Sequence, residues 1–315
     1  MKKTLSKITL SLLLVSSTAF ADKEKVSLLL DWFVNPDHAA IIIAQQKGFF
    51  EKNNLDVEII EPADPSMPPK LVAAKKAHLA VDYQPQLQMQ VAQGLPLVRI
   101  ATLVNSPLNS LVVLETSEIE KIEDLKGKKV GYSVSGFETA LLDSMLKSVN
   151  LSADDVELIN VNWSLSPSLM SGQVDAVIGS FRNFELNQLQ IENQKGRAFF
   201  PEDYGVPKYD ELVVVANKET LSKEKYKKFV ISLQEATKYL KENPKKSWEA
   251  FVSYKPKELN NELNRLAWSD TLPYLANNPA IFDKAVYTQM AEFMKENKLI
   301  KTVPNLDEYA QELLK

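Results

Sequence analysis

Short apolar runs alternate with amphipathic stretches along the chain from residue 26 onwards. The segments "KVSLLLDW" (25–32) and "HLAVDY" (78–83) have the length and composition of strands, whereas "HAAIIIAQQKGFFEKN" (38–53) and "QPQLQMQVAQG" (84–94) have helical patterns. Glycine or asparagine lies near the end of each helical stretch, where helices commonly stop. Strands that alternate with helices predict an α/β fold with a mostly parallel sheet and right-handed crossovers.

A second α/β series begins near residue 116. Two apolar runs, at 111–114 and 212–216, bracket a unit of about 100 residues, which is a common domain size. We interpret these runs as the two crossings between lobes. The predicted division is lobe one at 22–113 plus 217–315, and lobe two at 114–216, with a ligand cleft between them.

The first 21 residues, "MKKTLSKITLSLLLVSSTAFA", have the pattern of a secretory signal. Lysines precede an apolar stretch, and Ala19-Phe20-Ala21 forms a small-x-small cleavage site. The alternative is an N-terminal membrane anchor, but the apolar stretch is shorter than the roughly 20 residues that span a bilayer. We therefore predict a cleaved signal peptide, with no direct membrane insertion of the mature chain.

Composition narrows the class of protein further. The chain contains no cysteine, which excludes disulfides, thiolate metal sites, a cysteine nucleophile and a lipid anchor on cysteine. The formal net charge of −4 becomes −7 when the three lysines of residues 1–21 are removed. Such a charge disfavours nucleic acid and anionic lipid surfaces as partners. Export without lipidation predicts a soluble protein in the periplasm of a Gram-negative bacterium.

Four polar and aromatic loops follow predicted strands, and ligands bind at such strand ends in open α/β sheets. A cleft between two lobes would bring these loops together. They are "DWFVNPDH" (31–38), "DYQPQ" (82–86), "YSVSGFET" (132–139) and "GSFRNFE" (179–185).

Each candidate in these loops also has a purely structural interpretation. Trp32 either packs in the core or contacts a ligand, and His38 either caps the following helix or contacts a ligand. The N–H groups of residues 133–136 either cradle a polar ligand group or belong to a helix cap supplied by Ser135. Arg182 and Glu185 either form a surface pair or face the cleft.

Catalytic and cofactor motifs are absent from the sequence. There is no H-E-x-x-H, no zinc spacing, no G-x-S-x-G and no glycine-rich nucleotide loop. We therefore predict no metal, no cofactor and no enzyme activity. An enzyme that uses His38 as a general base remains an alternative, although no obvious partner group accompanies it.

Several segments together resemble the NMT1/THI5-like family, which joins bacterial thiamine-pyrimidine binding proteins to pyrimidine synthases. The similarity covers nearly all of the chain after residue 21. The most specific segments are "DWFVNPDH", "EPADPS", "AVDYQPQLQMQ", "LKGKKVGYSVSGFE" and "DAVIGSFRNFE".

The resemblance implies a two-lobed fold of the type II periplasmic-binding-protein kind. It also implies a receptor that delivers an aminopyrimidine precursor of thiamine to the permease and ATPase subunits of an ABC importer. In this interpretation Trp32 stacks on the pyrimidine, and Glu185 or Asp31 accepts a hydrogen bond from its amine. The residues predicted to bind the ligand are Asp31, Trp32, Asn35, His38, Tyr83, Tyr132, Ser133, Ser135, Gly136 and Glu185.

Departures from the family pattern decide between its branches. The synthases carry a lysine that holds pyridoxal phosphate and a substrate histidine just after the third strand, where this chain has "DYQPQ". Their cysteine-rich iron segment is also missing. The resemblance therefore favours a binding protein. The same fold with another ligand, such as a sulfonate, taurine or nitrate, remains an alternative through Arg182, because arginine suits oxyanions.

Overall fold

The structure, a computed structural model, describes residues 22–315 and contains two lobes, each built around a five-stranded sheet. The predicted signal peptide, residues 1–21, lies outside the described residues. Within the described part of the chain, no helix combines the length and the apolar character needed to span a membrane.

The two sheets are formed by strands of four to eight residues. They are β1 (Glu24–Leu29), β2 (Leu55–Ile60), β3 (Leu79–Asp82), β4 (Leu97–Val104), β5 (Asn109–Leu114), β6 (Lys129–Tyr132), β7 (Glu157–Asn160), β8 (Ala176–Phe181), β9 (Gly196–Phe199) and β10 (Leu212–Asn217).

Helices cover the faces of both sheets, and the longest follow β10. They are α1 (Ala39–Gln46), α2 (Phe49–Lys52), α3 (Pro68–Ala73), α4 (Gln84–Ala92), α5 (Phe137–Ser148), α6 (Leu165–Met170), α7 (Glu185–Ile191), α8 (Lys223–Glu242), α9 (Pro244–Tyr254), α10 (Pro256–Leu259), α11 (Glu262–Thr271), α12 (Lys284–Glu296) and α13 (Leu306–Tyr309).

Helix α1 is the central helix of the first lobe. The side chains of residues 39–44 are all buried, and α8 and α9 both pack against this helix. Helix α8 is amphipathic and buries Phe229, Val230 and Leu233 in the same core. The apolar run "AAIIIA" thus forms a helix buried all round, which explains why its hydrophobic pattern has no polar face.

Both sheets have the same mixed topology. In the first sheet, with strand order β2-β1-β3-β10-β4, β10 runs antiparallel to both neighbours, whereas β1 is parallel to β2 and β3. In the second, with order β7-β6-β8-β5-β9, β5 is the antiparallel strand and β6 is parallel to β7 and β8. Four of the five strands in each sheet thus run in one direction, so each lobe has the expected mostly parallel sheet with one antiparallel strand inserted.

The crossings lie earlier in the chain than the sequence predicted. Strand β5, placed before the first crossing in the prediction, belongs to the second sheet, and β10 belongs to the first. The chain therefore passes between the sheets at residues 105–108 and 200–211 rather than at 113/114 and 216/217. An apolar run indicates a buried strand but not which sheet pairs with it, because pairing depends on distant partners. Strand β9, with its glycine and arginine, was also not predicted.

A buried glutamate ties the two crossings together. Glu211, on the return crossing, accepts hydrogen bonds through Oε2 from the backbone N–H groups of Leu108 (2.6 Å) and Asn109 (2.9 Å) on the outgoing crossing. Glu211 is fully buried, so these N–H groups have no access to water as an alternative partner. The two connections are thus held side by side at the base of the cleft.

We expect Glu211→Ala to lower the free energy of unfolding by at least about 1–3 kcal/mol, because two buried N–H groups lose their acceptor. Urea denaturation followed by circular dichroism measures the change. As a control, Glu219→Ala removes only an exposed pair with Lys75 and should cost under about 1 kcal/mol. Equal losses for the two variants would contradict the role of Glu211.

Candidate functional site

A cavity lies between the lobes where the ends of β1, β3 and β8 meet. The space between its walls, including the part that is open to solvent, is about 410 Å³. Five of the predicted site residues line it. The full lining is Asp31, Trp32, Asn35, Asp37, Tyr83, Val134, Glu138, Leu165, Gly179, Phe181, Phe184, Glu185 and Leu212.

Asp31 is held by a buried hydrogen-bond network. His38 Nε2 lies 2.9 Å from Asp31 Oδ1, and the Tyr83 hydroxyl donates to Asp31 Oδ2 at 2.9 Å. The backbone N–H of Asn35 donates to His38 Nδ1 at 3.3 Å. Because Nδ1 accepts this bond, the imidazole proton is on Nε2 and is donated to Asp31. The network fixes the orientation of the Asp31 carboxyl group.

His38 does not contact the cavity, contrary to the prediction. Its side chain is 0% exposed, and both ring nitrogens are engaged within the protein. A general base needs access to the proton that it abstracts, so this placement also removes the support for a catalytic His38. The sequence showed a histidine near a helix start, but not that its ring turns back towards the preceding strand.

Asn35 shapes the turn that carries the acidic residue Asp37 to the cavity. Its side-chain oxygen accepts a hydrogen bond from the Asp37 N–H at 2.8 Å and so caps the 3₁₀ turn Pro36–His38. Proline at the first position of the turn leaves no unsatisfied N–H there. The motif N-P-D-H is therefore a capped turn, and Asp37 is a lining residue that the prediction missed.

Trp32 lies at the gap between the lobes. The indole is half-buried, lines the cavity and packs against Trp163 of the second lobe, with ring centroids 4.5 Å apart and an interplanar angle of 55°. Trp163 follows β7, so the rule that placed site residues after strands could have identified it. Two further lining rings, Phe181 and Phe184, lie in the predicted loop 179–185 but were not singled out.

Tyr83 combines two roles. Its ring stacks on Phe137 of the second lobe at 5.1 Å with an interplanar angle of 19°, and it meets Phe181 edge to face at 6.4 Å. Its hydroxyl is committed to Asp31, and burial raises the pKa of this phenol well above its usual value. The ring thus offers an apolar surface to the cavity while its polar end stays inside the protein.

Three of the four backbone N–H groups in the Ser133–Gly136 loop are already engaged within the protein. The backbone N–H groups of Ser133 and Val134 donate to Glu138 Oε2 at 2.7 and 3.0 Å. The N–H of Ser135 faces Ser66 Oγ of the first lobe at 3.3 Å. The predicted cradle exists, but a carboxylate of the same chain already occupies it.

The other residues predicted from this loop also lie outside the lining. Tyr132 packs against the core of the second lobe, and none of Ser133, Ser135 and Gly136 is part of the cavity wall. Helix α5 begins after Gly136, and Ser135 makes no capping bond. Only Val134 lines the cavity from this loop, because the turn directs the neighbouring side chains elsewhere.

Burial raises the pKa of three lining acids. The pKa of Glu138 rises to about 8, and the negative charges of Glu185 and Glu211 add to the shift. Burial, with a contribution from the charge of Asp37, raises the pKa of Glu185 to about 8. The pKa of Asp37 rises to about 6. Two lining carboxyl groups are therefore mainly protonated at neutral pH and can donate as well as accept hydrogen bonds.

A glycine makes room for one of these acids. Gly179 has φ +98°, and a Cβ placed on it would lie 2.3–2.6 Å from the Glu138 carboxyl atoms. Any side chain at this position would displace the Glu138 carboxyl group and would also strain the backbone. Gly179 in "DAVIGSF" therefore belongs to the site, although its position within a strand gave no indication of this in the sequence.

Arg182 lies outside the cavity. Its guanidinium pairs with Glu202 at 2.7 Å and donates to the backbone carbonyls of Leu108 and Asn109. The ring of Phe200 covers it at 4.0 Å. Arg182 therefore stabilises the crossing segments, and it is not paired with Glu185 as the sequence had allowed.

Comparison with known structures identifies the fold class. The alkanesulfonate-binding protein SsuA of Xanthomonas axonopodis superimposes with a TM-score of 0.72 over 92% of this chain and 99% of its own, at 14% identity. At that identity the likeness concerns the fold alone, which is the two-lobed periplasmic-binding-protein fold.

Sequence comparison identifies the family. The NMT1/THI5-like family model matches residues 35–247, and this chain belongs to that family. A Haemophilus influenzae protein, provisionally named a thiamine biosynthesis protein, is 64% identical over 301 residues, or 96% of each chain.

More distant relatives carry more specific names. The formylaminopyrimidine-binding protein of Halalkalibacterium halodurans is 36% identical over 64% of this chain and 62% of its own. A Saccharomyces cerevisiae 4-amino-5-hydroxymethyl-2-methylpyrimidine phosphate synthase is 28% identical over 81% of this chain and 78% of its own. The family thus contains both a protein named for ligand binding and proteins named as enzymes.

We expect the free energy of unfolding of wild type, minus that of Glu138→Gln, to fall as the pH rises from 5 to 8. Between the ordinary pKa of 4.5 and the folded value of about 8, the folded protein holds a proton on Glu138 that the unfolded chain has released. Glutamine does not titrate, and its oxygen can still accept both N–H groups. Urea denaturation at pH 5, 6.5 and 8 tests this, with the exposed Glu219→Gln as control. A constant difference between wild type and Glu138→Gln would contradict it.

Proposed function

We propose that this chain is the substrate-binding component of an ABC importer and binds a thiamine-precursor aminopyrimidine, such as N-formyl-4-amino-5-aminomethyl-2-methylpyrimidine. The observation that carries the proposal is the lining of the interlobe cavity. It combines aromatic rings with four carboxyl groups and, among residues 22–315, includes no lysine or arginine. The relative named for formylaminopyrimidine binding supports the same ligand class.

The aromatic lining suits a flat ring. Trp32 comes from the first lobe, whereas Phe181 and Phe184 come from the second, so a ring bound between them contacts both lobes. Aromatic rings prefer offset-stacked or edge-to-face contacts with other aromatic rings. A pyrimidine therefore gains contacts on both sides when the lobes close on it.

A protonated glutamate matches the polar edge of an aminopyrimidine. This edge presents a ring nitrogen that accepts a hydrogen bond next to an amine that donates one. A carboxylic acid presents a hydroxyl donor next to a carbonyl acceptor. Glu185, whose pKa is raised to about 8, has this form at neutral pH, and we assign it to the ring nitrogen and one amine hydrogen.

An anionic ligand fits the cavity less well. Sulfonates and nitrate require arginine, lysine or free N–H donors, but Arg182 faces Glu202 and the N–H groups of Ser133 and Val134 face Glu138. Asp37, whose pKa of about 6 leaves it mainly ionised at neutral pH, would also repel an anion. The similarity to a sulfonate-binding protein therefore concerns the fold and not the ligand.

A binding role also agrees better with the sequence than synthase chemistry does. The stretch after β3, Asp82–Gln86, contains neither the lysine nor the histidine that the resemblance assigns to synthases. The buried His38 has both ring nitrogens engaged. We therefore propose that the protein binds its pyrimidine without converting it.

The proposed location follows from the N-terminal segment. Residues 1–21 act as a cleaved signal in this proposal, and the mature chain works in the periplasm with a membrane permease and its ATPase. An intact mass that begins at Asp22 for protein from the periplasmic fraction would support this. Full-length protein in the cytoplasmic fraction would contradict it.

Titration calorimetry with candidate ligands tests the function directly. We expect tight binding of 4-amino-5-hydroxymethyl-2-methylpyrimidine or its formylaminomethyl counterpart, and no measurable heat with taurine or nitrate. Native mass spectrometry of freshly purified protein can identify a ligand carried from the cell. Tighter binding of a sulfonate than of either pyrimidine, or conversion of the pyrimidine during incubation, would overturn the proposal.

We expect Trp32→Ala to weaken pyrimidine binding by about 10- to 100-fold, because the ring loses a stacking partner and buried area. Trp32→Phe keeps an aromatic face and should lose less. Trp248→Ala changes an indole packed among Phe251 and Trp268, away from the cavity, and should leave the affinity unchanged. Calorimetry on all three variants measures the effect, and wild-type affinity in Trp32→Ala would contradict the stacking role.

We expect Glu185→Gln to retain most of the affinity, since glutamine offers the same adjacent donor and acceptor, whereas Glu185→Ala should lose about 10-fold or more. Wild-type affinity should decline as the pH rises past 8, when Glu185 ionises, and Glu185→Gln should show a smaller decline. Calorimetry at pH 7 and 9 measures both, with Glu249→Gln, on the exposed face of α9, as control. Unchanged affinity in Glu185→Ala would rule out this assignment.

A further inference from the structure

One lining carboxyl group has an oxygen without a partner. Asp37 is 1% exposed and lines the cavity, and its Oδ2 atom is buried without any hydrogen bond. A buried acceptor left in this state is costly, and such atoms in folded proteins commonly have a function. Among residues 22–315, no other buried side-chain atom without a partner belongs to a residue that lines this cavity.

Each of the other lining acids has at least one oxygen engaged within the protein. Both oxygens of Asp31 have partners, in His38 and Tyr83. Oε2 of Glu138 accepts two backbone N–H groups, and Oε2 of Glu185 accepts the Phe181 N–H at 2.6 Å. Asp37 is thus the lining acid with a fully buried oxygen left for an external donor.

The second oxygen of Asp37 is bound across the cleft. Asn183, between β8 and α7 in the second lobe, donates through Nδ2 to Asp37 Oδ1 at 2.7 Å and lies at the same distance from Thr271 Oγ1. Thr271 Oγ1 is itself 3.3 Å from Asp37 Oδ1. Asp37 and Thr271 both belong to the first lobe, so the Asn183 contacts exist only while the lobes are together.

A bound aminopyrimidine supplies the missing donor. Its amine carries two hydrogens, and a carboxyl group paired with the ring edge takes only one of them. The second hydrogen needs an acceptor once the cavity has excluded water. Asp37 is the matching acceptor, since its free oxygen is buried in the wall of the same cavity.

We propose that Asp37 is a specificity-determining residue that accepts the second amine hydrogen of the ligand at Oδ2 while Asn183 of the opposite lobe holds Oδ1, so that amine recognition and lobe closure share one carboxylate. This inference rests on the proposed pyrimidine-binding function. It adds a residue, and a link to closure, beyond the roles given to Trp32 and Glu185.

The test combines a substitution of Asp37 with removal of the ligand amine, following the logic of a double-mutant cycle. One ligand is 4-amino-5-hydroxymethyl-2-methylpyrimidine, and the other carries a methyl group in place of the amine. Calorimetry gives the ratio of the two dissociation constants in wild type and in Asp37→Ala. We expect the wild type to prefer the amine strongly and Asp37→Ala to lose about 10-fold or more of that preference.

Alanine removes both carboxylate oxygens, so no side-chain acceptor remains at position 37 for the ligand amine. It also removes the acceptor of Asn183, which weakens binding of both ligands, but only contact with the ligand changes the amine-to-methyl ratio. Asparagine is less suitable, because its amide oxygen could still accept the amine hydrogen. Should Asp37→Ala not fold, Asp37→Ser removes the carboxylate within a smaller volume and should give the same loss of preference.

Asn183→Ala separates closure from ligand contact. It removes the donor of the opposite lobe, so we expect weaker binding of both ligands and an amine-to-methyl ratio like that of wild type. Small-angle scattering of the ligand-saturated variant should show a larger radius of gyration than that of wild type. Thr271→Val, which removes a hydroxyl near the same Oδ1 atom in the first lobe, is the matched control and should also keep the wild-type ratio.

The outcomes distinguish failure of the role of Asp37 from failure of the proposed function. If wild-type protein binds neither pyrimidine, the proposed function fails and the role of Asp37 fails with it. If wild type prefers the amine and the Asp37 variants keep the same preference, only the role of Asp37 is overturned. A changed ratio in Asn183→Ala, or unchanged affinity for both ligands there, would overturn the link to closure.

Discussion

The site depends on one constraint, which is that several carboxyl groups are buried together where two lobes meet. Desolvation disfavours their charged forms, and the chain compensates by donating its own hydrogen bonds to them. Ser133 and Val134 donate backbone N–H groups to Glu138, Phe181 does so for Glu185, and side chains serve Asp31. These bonds engage four of the eight carboxyl oxygens in the cavity wall. What remains is a pocket of oxygens and protonated acids that complements a neutral, amine-bearing ring better than an anion.

The same contacts connect ligand recognition to the relative position of the lobes. Glu211 holds the two crossing segments side by side at the base of the cleft, whereas Trp163 and Asn183 of the second lobe reach Trp32 and Asp37 at the cavity. A ligand bound between these residues contacts both lobes, so its binding energy favours the closed arrangement over an open one. In the proposed function, closure and specificity are therefore assigned to one set of residues.

Members of this family with different activities are expected to share the scaffold and differ in a few loop positions. The fold supplies strand ends that converge on a cleft, and the residues after those strands determine the chemistry. Here the loop after β3 provides Tyr83, whose ring faces the cavity and whose hydroxyl orients Asp31. A tyrosine engaged in this way presents its ring to the cavity and orients Asp31, which agrees with the binding role proposed above.

The sequence by itself determined the α/β class, the two-lobed organisation and the loops that form the site, because these follow from local hydrophobic periodicity and from the strand-end rule. It also identified Asp31, Trp32, Asn35, Tyr83 and Glu185 as residues near the ligand cleft, and the structure places all five in the cavity wall. Only the tertiary structure decided which sheet β5 and β10 join, that His38 faces inward, and that Glu138 occupies the N–H groups of the 133–136 loop. Those outcomes depend on side-chain direction and on partners distant in the chain, and a linear pattern specifies neither. Asp37 was missed for the same reason, since its role comes from Asn183, which lies 146 positions away in the sequence.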